Sequence, residues 1–306
     1  MRTEKHRANG DLDSLPEVAL MGGDSHGWAL DEDLRLTRQA LNGVIREVPL
    51  EQASVLLSVW WEPLMRFSKK QLKGKRVVCH LSGALDRYMS VNGFDEALRR
   101  VDLWIARSRK GAEELNAHGL NYLLIPYIVD TSTFRPLRLH KVASLRRKWN
   151  IPEGKFLVGS FQRDTEGSDL SSPKLVKGPD ILCDIVEKCR RQGLPVHVVL
   201  AGPRRHWLRR TLSSAHIPFT FCGNEIEGDD IDTNILRRRD LNELYNLIDL
   251  YIVSSRSEGG PHSVLESASA GCAVISRRVG IASDIIAECC LYESADEGAE
   301  LVRRCL

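Results

Sequence analysis

Residues 250–275 constrain the possible folds of this chain more than any other stretch. In them, two short apolar runs flank a glycine turn and a helical segment. Residues 250–253 are apolar and partly β-branched, which is typical of a buried strand. The pattern predicts a helix over residues 261–270, ended by Gly271, and a second buried strand over residues 273–275. A strand, a glycine turn, a helix and a further strand in this order indicate a parallel α/β sheet.

The turn before this helix has the composition of an anion-binding site. Gly259 and Gly260 come directly before Pro261, so a ligand can approach the backbone where the helix presents unpaired N–H groups and a partial positive charge. Glu258 and Glu266 bracket the turn, and carboxylates accept hydrogen bonds from vicinal hydroxyls. A diphosphate with a hydroxylated ring on each side suits this arrangement. The residues therefore predict a nucleotide sugar as the ligand.

The segment Glu258-Gly-Gly-Pro-His-Ser-Val-Leu-Glu266, with the small residues after it, resembles the E-x7-E signature of retaining family 4 glycosyltransferases of the GT-B fold. The resemblance implies that Glu258 contacts hydroxyls of the donor sugar and that Glu266 holds the ribose. It also implies donor contacts for the residues between them: Gly259, Gly260, Pro261, His262 and Ser263. The alternative is a pair of surface glutamates beside an ordinary strand-to-helix turn.

A basic loop after a predicted strand at residues 155–160 carries Arg163, Lys174 and Lys177. Fixed cations of this kind can neutralise a diphosphate without a metal ion. In the resembled family an Arg and a Lys-Gly pair grip the phosphates and stabilise the departing nucleotide. That similarity implies these catalytic roles for Arg163 and Lys177, with Lys174 as a substitute. The loop is longer than the family's usual spacing, and a solvated basic loop is the alternative.

The N-terminal half resembles the family at two further places. Gly22 and Gly23 follow the first predicted strand, where the family positions a loop against the donor diphosphate. A turn needed only for tight geometry is the alternative. His80 ends the strand predicted at residues 77–79, at the edge where open α/β sheets bind ligands. The resemblance implies that His80 faces the donor sugar, and a core histidine is the alternative.

The length of 306 residues and the repeated strand–turn–helix pattern predict two domains, because a single core rarely grows beyond about 250 to 300 residues. The pattern predicts an α/β fold class with two Rossmann-like domains and an interdomain cleft, and the resemblance implies that this fold is GT-B. Residues 15–130 are expected to form the acceptor-side domain and residues 131–306 the nucleotide-sugar-binding domain. The boundary rests on Val129-Asp130, which precedes a Phe and a Pro as in the family's interdomain signature.

The composition indicates a soluble globular protein, with 42% hydrophobic and 27% charged residues and no apolar run near the roughly 20 residues that span a bilayer. The net charge of +2 gives no reason to expect a nucleic-acid partner. The polar start predicts no secretory signal, and the eight cysteines without a CxxC pair fit core thiols in a cytoplasmic protein. For the basic segment 66–76, the favoured interpretation is a solvated face. The alternative is that it attracts anionic lipid heads at the inner face of a membrane, or an anionic acceptor.

Together these features predict transfer of a sugar from a UDP- or GDP-linked donor to a sugar, lipid or other small-molecule acceptor, with retention of configuration if the family rule holds. No cofactor or metal is expected, because the D-x-D triplets at residues 11–13, 31–33 and 230–232 do not follow predicted strands. A nucleotide-sugar epimerase and a non-catalytic sugar-nucleotide-binding protein remain the alternatives.

Overall fold

The computed structural model describes residues 15–24, 29–167 and 169–306. Over these residues the chain forms two compact units. The first comprises the described residues up to Arg107 together with Gly111–Ile125, and the second comprises Ser108–Lys110 and Pro126–Leu306. The D-x-D triplet at residues 11–13 and the end of the first glycine turn, residues 25–27, lie outside the described residues.

The first unit contains six strands, β1 (Glu17–Met21), β2 (Arg46–Glu47), β3 (Val55–Ser58), β4 (Arg76–Leu81), β5 (Leu103–Ala106) and β6 (Tyr122–Leu124). They form one parallel sheet in the order β2-β1-β3-β4-β5-β6. The helices of this region are α1 (Ala29–Leu41), α2 (Lys69–Leu72), α3 (Leu85–Met89), α4 (Phe94–Arg100) and α5 (Arg109–Ala117). In the core Phe94 packs edge-on against Trp61, with ring centroids 5.3 Å apart.

The second unit contains a parallel sheet of β7 (Phe156–Ser160), β10 (Val196–Ala201), β11 (Phe219–Cys222), β12 (Leu250–Val253), β13 (Ala273–Arg277) and β14 (Leu291–Tyr292). An antiparallel hairpin of β8 (Thr165–Glu166) and β9 (Asp169–Pro173) follows β7. The helices are α6 (Leu139–Lys148), α7 (Pro179–Arg191), α8 (His206–Ser214), α9 (Arg238–Leu247), α10 (His262–Ser269), α11 (Ala282–Ile285) and α12 (Ala295–Cys305).

Helices cover both faces of this second sheet, whose order is β11-β10-β7-β12-β13-β14. Successive residues of β10 show this directly, because Val198 packs with side chains of α7, α8 and α12 while Val199 packs with side chains of α6, α9 and α10. A strand buried on both faces is continuously apolar rather than alternating. That is why residues 196–201 and 250–253 were readable as buried strands.

The strands and helices expected from periodicity are confirmed to within a few residues, including the unit made by β12, α10 and β13. The sequence patterns predict neither β2 nor the β8–β9 hairpin, and they also miss several helices: α2, α3, α4, α6, α8, α11 and α12. The hairpin has a polar sequence whose strands carry no apolar signal, so the sequence predicts a loop over residues 161–178. Among the described residues, no helix has the length and apolar character needed to cross a membrane.

From Pro126 onward the chain belongs entirely to the second unit, and the domain boundary near residue 130 stays a prediction. A turn built on Asp130 follows. Its carboxylate accepts hydrogen bonds from the Ser132 hydroxyl at 2.5 Å and from the Thr133 hydroxyl at 2.9 Å. These bonds, the Ser132 bond first, lower the pKa of Asp130 to about 2. The turn places Phe134, which is fully buried, in the core of the second unit.

Replacing Asp130 by Ala should lower the free energy of unfolding by about 1–2 kcal/mol, the usual effect of losing a capping carboxylate. A lowered pKa means that this stabilisation is complete above the ordinary value of 3.8 and is lost as the pH falls towards 2. Urea unfolding of both proteins across this pH range measures the difference. The exposed Asp232, replaced by Ala, is the control. An Asp130 effect that persists unchanged at pH 2 would contradict the account.

Candidate functional site

The predicted glycine turn lies at the carboxyl end of β12, in the middle of the second sheet. Helix α10 begins at His262, and its N-cap is Pro261. Proline has no side-chain acceptor, so the first-turn amides gain no cap from that residue. Gly259 and Pro261 are buried, whereas Gly260, His262 and Ser263 are half-buried. The arrangement is that of a helix N-terminus suited to an anion.

Tyr127 packs against this turn. Its ring lies edge-on to His262, with the two ring centroids 4.5 Å apart. A Cβ atom added at Gly260 would lie only 2.1 Å from a ring carbon of Tyr127. The aromatic ring of Tyr127 thus occupies the space that the absence of a side chain leaves at Gly260.

Lys177 and Glu258 form an ion pair at the centre of the site. Lys177 Nζ lies 2.6 Å from Glu258 Oε1, and the same oxygen accepts a hydrogen bond from Ser255 Oγ at 2.7 Å. Gln162 Nε2 donates to the carbonyl of Lys177 at 2.9 Å, which fixes the backbone that carries the lysine. The predicted cation and the predicted carboxylate are thus brought together. Sequence patterns gave no signal for Gln162 or Ser255.

Glu266 lies in α10 and is 8% exposed. Its Oε2 accepts a hydrogen bond from the hydroxyl of Tyr245, 3.0 Å away in α9. Burial, reinforced by the negative charge of Glu266, raises the pKa of Tyr245 well above its ordinary value. Tyr245 therefore remains a donor that orients the carboxylate. The sequence patterns gave no site role to Tyr245.

The β8–β9 hairpin explains the long spacing between the basic residues of the preceding loop. Arg163 comes just before the hairpin and Lys174 just after it, and both are half-buried. The amide of Lys174 donates to the carbonyl of Asp164 at 2.7 Å, which closes the neck of the hairpin. Lys174 thus returns to the neighbourhood of Arg163, although it stands far along the sequence.

Asp164 anchors this neck to the rest of the unit. Its carboxylate accepts hydrogen bonds from the amides of Trp207 at 3.1 Å and Leu208 at 3.2 Å, so it caps α8. The fully buried Arg205 guanidinium lies 3.7 Å from the same carboxylate and donates to Ser160 Oγ at 3.0 Å. Burial is the main cause of a raised pKa for Asp164. Asp164 was not among the predicted site residues.

Three predicted residues lie in the first unit. His80 is 4% exposed, and its Nδ1 lies 2.8 Å from Asp33 Oδ2. Arg107 donates to the other oxygen of Asp33 at 2.8 Å. His80 thus belongs to a buried network with Asp33 and Arg107.

The two glycines of the first turn are closely packed. Gly22 has a φ of 112° and lies so close to Val59 that a Cβ would be 2.7 Å from a methyl carbon. Gly23 lies against the side chain of Asp31. Gly22 thus lies in a tightly packed turn.

The two D-x-D triplets within the described residues have other partners. Asp33 belongs to the His80 network, and Asp230 accepts from the amide of Arg204 and the side chain of Asn234. Over the described part of the chain, no group of three or more His, Cys, Asp or Glu side chains is arranged to hold a metal ion.

Comparisons with known proteins agree with this architecture. Residues 170–306 match the family described as glycosyl transferases group 1. A comparison with curated protein sequences found no significant match. Among solved structures, sucrose-phosphate synthase from Thermosynechococcus elongatus is 13% identical, with a TM-score of 0.69 over 94% of this chain and 89% of that one. The fold is GT-B.

Two further structures share this GT-B fold. Anabaena HepE in complex with UDP and glucose is 14% identical, with a TM-score of 0.65 over 95% of this chain and 89% of that one. A UDP-forming trehalose-phosphate synthase from Burkholderia xenovorans, in complex with glucose-6-phosphate, is 13% identical, with a TM-score of 0.60 over 89% of this chain and 69% of that one.

The Lys177–Glu258 ion pair leads to opposite expectations for its two members. A phosphate that binds Lys177 must displace the Glu258 carboxylate, so Glu258→Gln should tighten the binding of inorganic pyrophosphate severalfold. Lys177→Met should weaken it about 10- to 100-fold, the usual range for a lost charge-assisted hydrogen bond. Isothermal titration calorimetry measures both. Weaker binding by both variants would show that the pair acts only as a structural tie.

Proposed function

We propose that the protein is a glycosyltransferase that moves a sugar from a nucleotide-diphosphate sugar to an acceptor, with retention of anomeric configuration. The observation that carries the proposal is the grouping of Lys177 and Glu258 at the carboxyl end of β12, directly before the N-terminus of α10. A cation, an anion-binding helix end and a carboxylate suited to hydroxyls are the groups that a sugar diphosphate requires.

The departing nucleoside diphosphate is stabilised by positive charge. Lys177, Arg163 or Lys174, and the amides at the start of α10 supply that charge without reorganising during the reaction. When the diphosphate binds, Lys177 exchanges its Glu258 partner for a phosphate oxygen. Glu258 is then released to accept hydrogen bonds from the donor sugar. The Lys177–Glu258 ion pair thereby keeps both groups in position for their roles.

The two glutamates have different roles in this proposal. Glu258 holds the sugar whose anomeric carbon gains oxocarbenium character, while Glu266, oriented by Tyr245, holds the ribose hydroxyls. No protein nucleophile is required if the acceptor hydroxyl attacks from the face that the diphosphate leaves. His80, Gly22 and Gly23 are proposed to contact the donor from the first unit.

The solved relatives support this donor class, since HepE holds UDP and glucose and the Burkholderia enzyme is named as UDP-forming. The acceptor is proposed to be a sugar, a lipid or another small molecule. Epimerisation of the donor and binding without reaction are the competing proposals. Incubation with a panel of UDP- and GDP-sugars separates the three. Acceptor-dependent release of nucleoside diphosphate supports transfer, an isomerised donor supports an epimerase, and bound but unchanged donor supports a binding protein.

Replacing Glu266 by Gln should weaken nucleoside-diphosphate binding about 10- to 100-fold, because a charge-assisted hydrogen bond to the ribose becomes a neutral one. The thermal stabilisation given by the nucleotide should fall in parallel. Glu187→Gln, at a surface position of α7, is the matched control. If the two variants bind the nucleotide equally, Glu266 does not hold the ribose.

Transfer should persist at its full rate in excess chelator, because the proposed phosphate partners are lysines, an arginine and backbone amides rather than a metal ion. Initial rates with and without chelator, followed by addition of magnesium or manganese, provide the measurement. A complete loss of activity that either metal restores would contradict the metal-independent mechanism.

A further inference from the structure

A groove in the first unit gathers cationic side chains from two separate segments. It has a volume of about 610 Å3, within the range of small-molecule sites. Leu72 and Val77 give it an apolar floor. Its cationic lining residues are Lys69, Lys70, Lys73, Lys75, Arg99 and Arg100. We call it the lysine groove.

The lysine groove lies at the amino ends of two neighbouring strands. Its first segment, residues 69–75, runs into β4, and its second, residues 96–102, runs into β5. These strands are adjacent and parallel, so their amino ends share one edge of the sheet. Arg107, which follows β5, marks the opposite edge. The groove is therefore separate from the His80 network.

The acidic residues of the groove already have internal partners. Glu96 accepts hydrogen bonds from Arg99 and Arg100, which lower the pKa of Glu96 to about 2. Asp102 accepts from the amide of Val77 at 2.7 Å. The Glu96 bonds lie within α4, and the Asp102 bond connects the chain after α4 to β4. The two carboxylates of the lining are therefore used mainly by arginines and a backbone group, with Lys69 as a more distant partner of Glu96.

Two of the four lysines of the groove remain fully available to a ligand. Lys75 donates to the carbonyl of Ala53 at 2.7 Å. The side chain of Lys69 is 83% exposed, and its Nζ forms a long ion pair with Glu96 Oε1 at 3.9 Å. Lys70 and Lys73 are exposed, and neither forms an ion pair with any residue that the structure describes. Ser68 fixes the helix that carries Lys69 and Lys70 through a capping box with Gln71. The ammonium groups are thus concentrated on a short, capped element.

We infer that the lysine groove binds a ligand with several phosphate groups. Lysine is a point-charge partner for phosphate, and several ammonium groups around one groove favour a multiply charged anion over a single one. Phosphorylated lipid headgroups and soluble polyphosphorylated compounds share this chemistry. The inference rests on the groove alone and does not depend on the proposed sugar transfer.

The test compares the full chain with Lys70→Gln/Lys73→Gln, which removes two charges and keeps the side-chain stems. Inositol hexakisphosphate, titrated by calorimetry, is the soluble probe. Vesicles of phosphatidylcholine with or without phosphatidylinositol 4,5-bisphosphate, whose headgroup carries several phosphate groups, are the lipid probe and are tested by co-sedimentation. Lys155→Gln/Lys188→Gln, in the second unit, is the matched control, and Lys177→Met serves as a background that removes the candidate phosphate site.

We expect the groove variant to bind at least one probe about 10- to 30-fold more weakly at low salt, with the control unchanged and added salt reducing binding. The effect should be the same in the Lys177→Met background. Binding of the soluble probe alone identifies a soluble ligand, and binding of the phosphatidylinositol bisphosphate vesicles identifies a lipid headgroup. The inference is overturned if neither probe binds, or if the groove variant binds both probes as the wild type does.

Discussion

The site depends on β7 and β12 lying side by side at the centre of the second sheet. The chain moves outward from β7 to β10 and β11, and then returns to place β12 on the other side of β7. The loops that leave these two strands therefore meet at the carboxyl edge, where α/β sheets bind ligands. Gln162 and Lys177 come from one loop, and Ser255 and Glu258 come from the other.

In each unit, a buried carboxylate connects side chains or backbone groups from different elements. Asp33 links His80 and Arg107 in the first unit, and Asp164 links the hairpin neck to α8 and lies beside Arg205 in the second. Removing one member of such a network leaves a buried group without compensation, which is strongly destabilising. These networks hold the loops that carry the candidate site residues. They thus contribute to the site by fixing the backbone.

Periodicity was sufficient for most of the fold, because parallel strands buried on both faces are continuously apolar and their helices are amphipathic. It was insufficient where stability comes from a few polar contacts. The β8–β9 hairpin and the two-residue β2 contain few apolar side chains, so hydrophobic periodicity does not predict them. The same limit applies to the site, since Tyr245 and Asp164 act through one or two hydrogen bonds each.

The sequence by itself determined most of the buried strands, the glycine turn before α10 and the candidate residues Lys177, Glu258 and Glu266. These are local properties, since they follow from residue type and spacing within short segments. Only the tertiary structure decided that Glu258 pairs with Lys177, that Tyr245 orients Glu266 and that lysines from one segment meet arginines from another. These contacts depend on which strands lie side by side in the sheet. The order of strands within a sheet is a property of the whole chain.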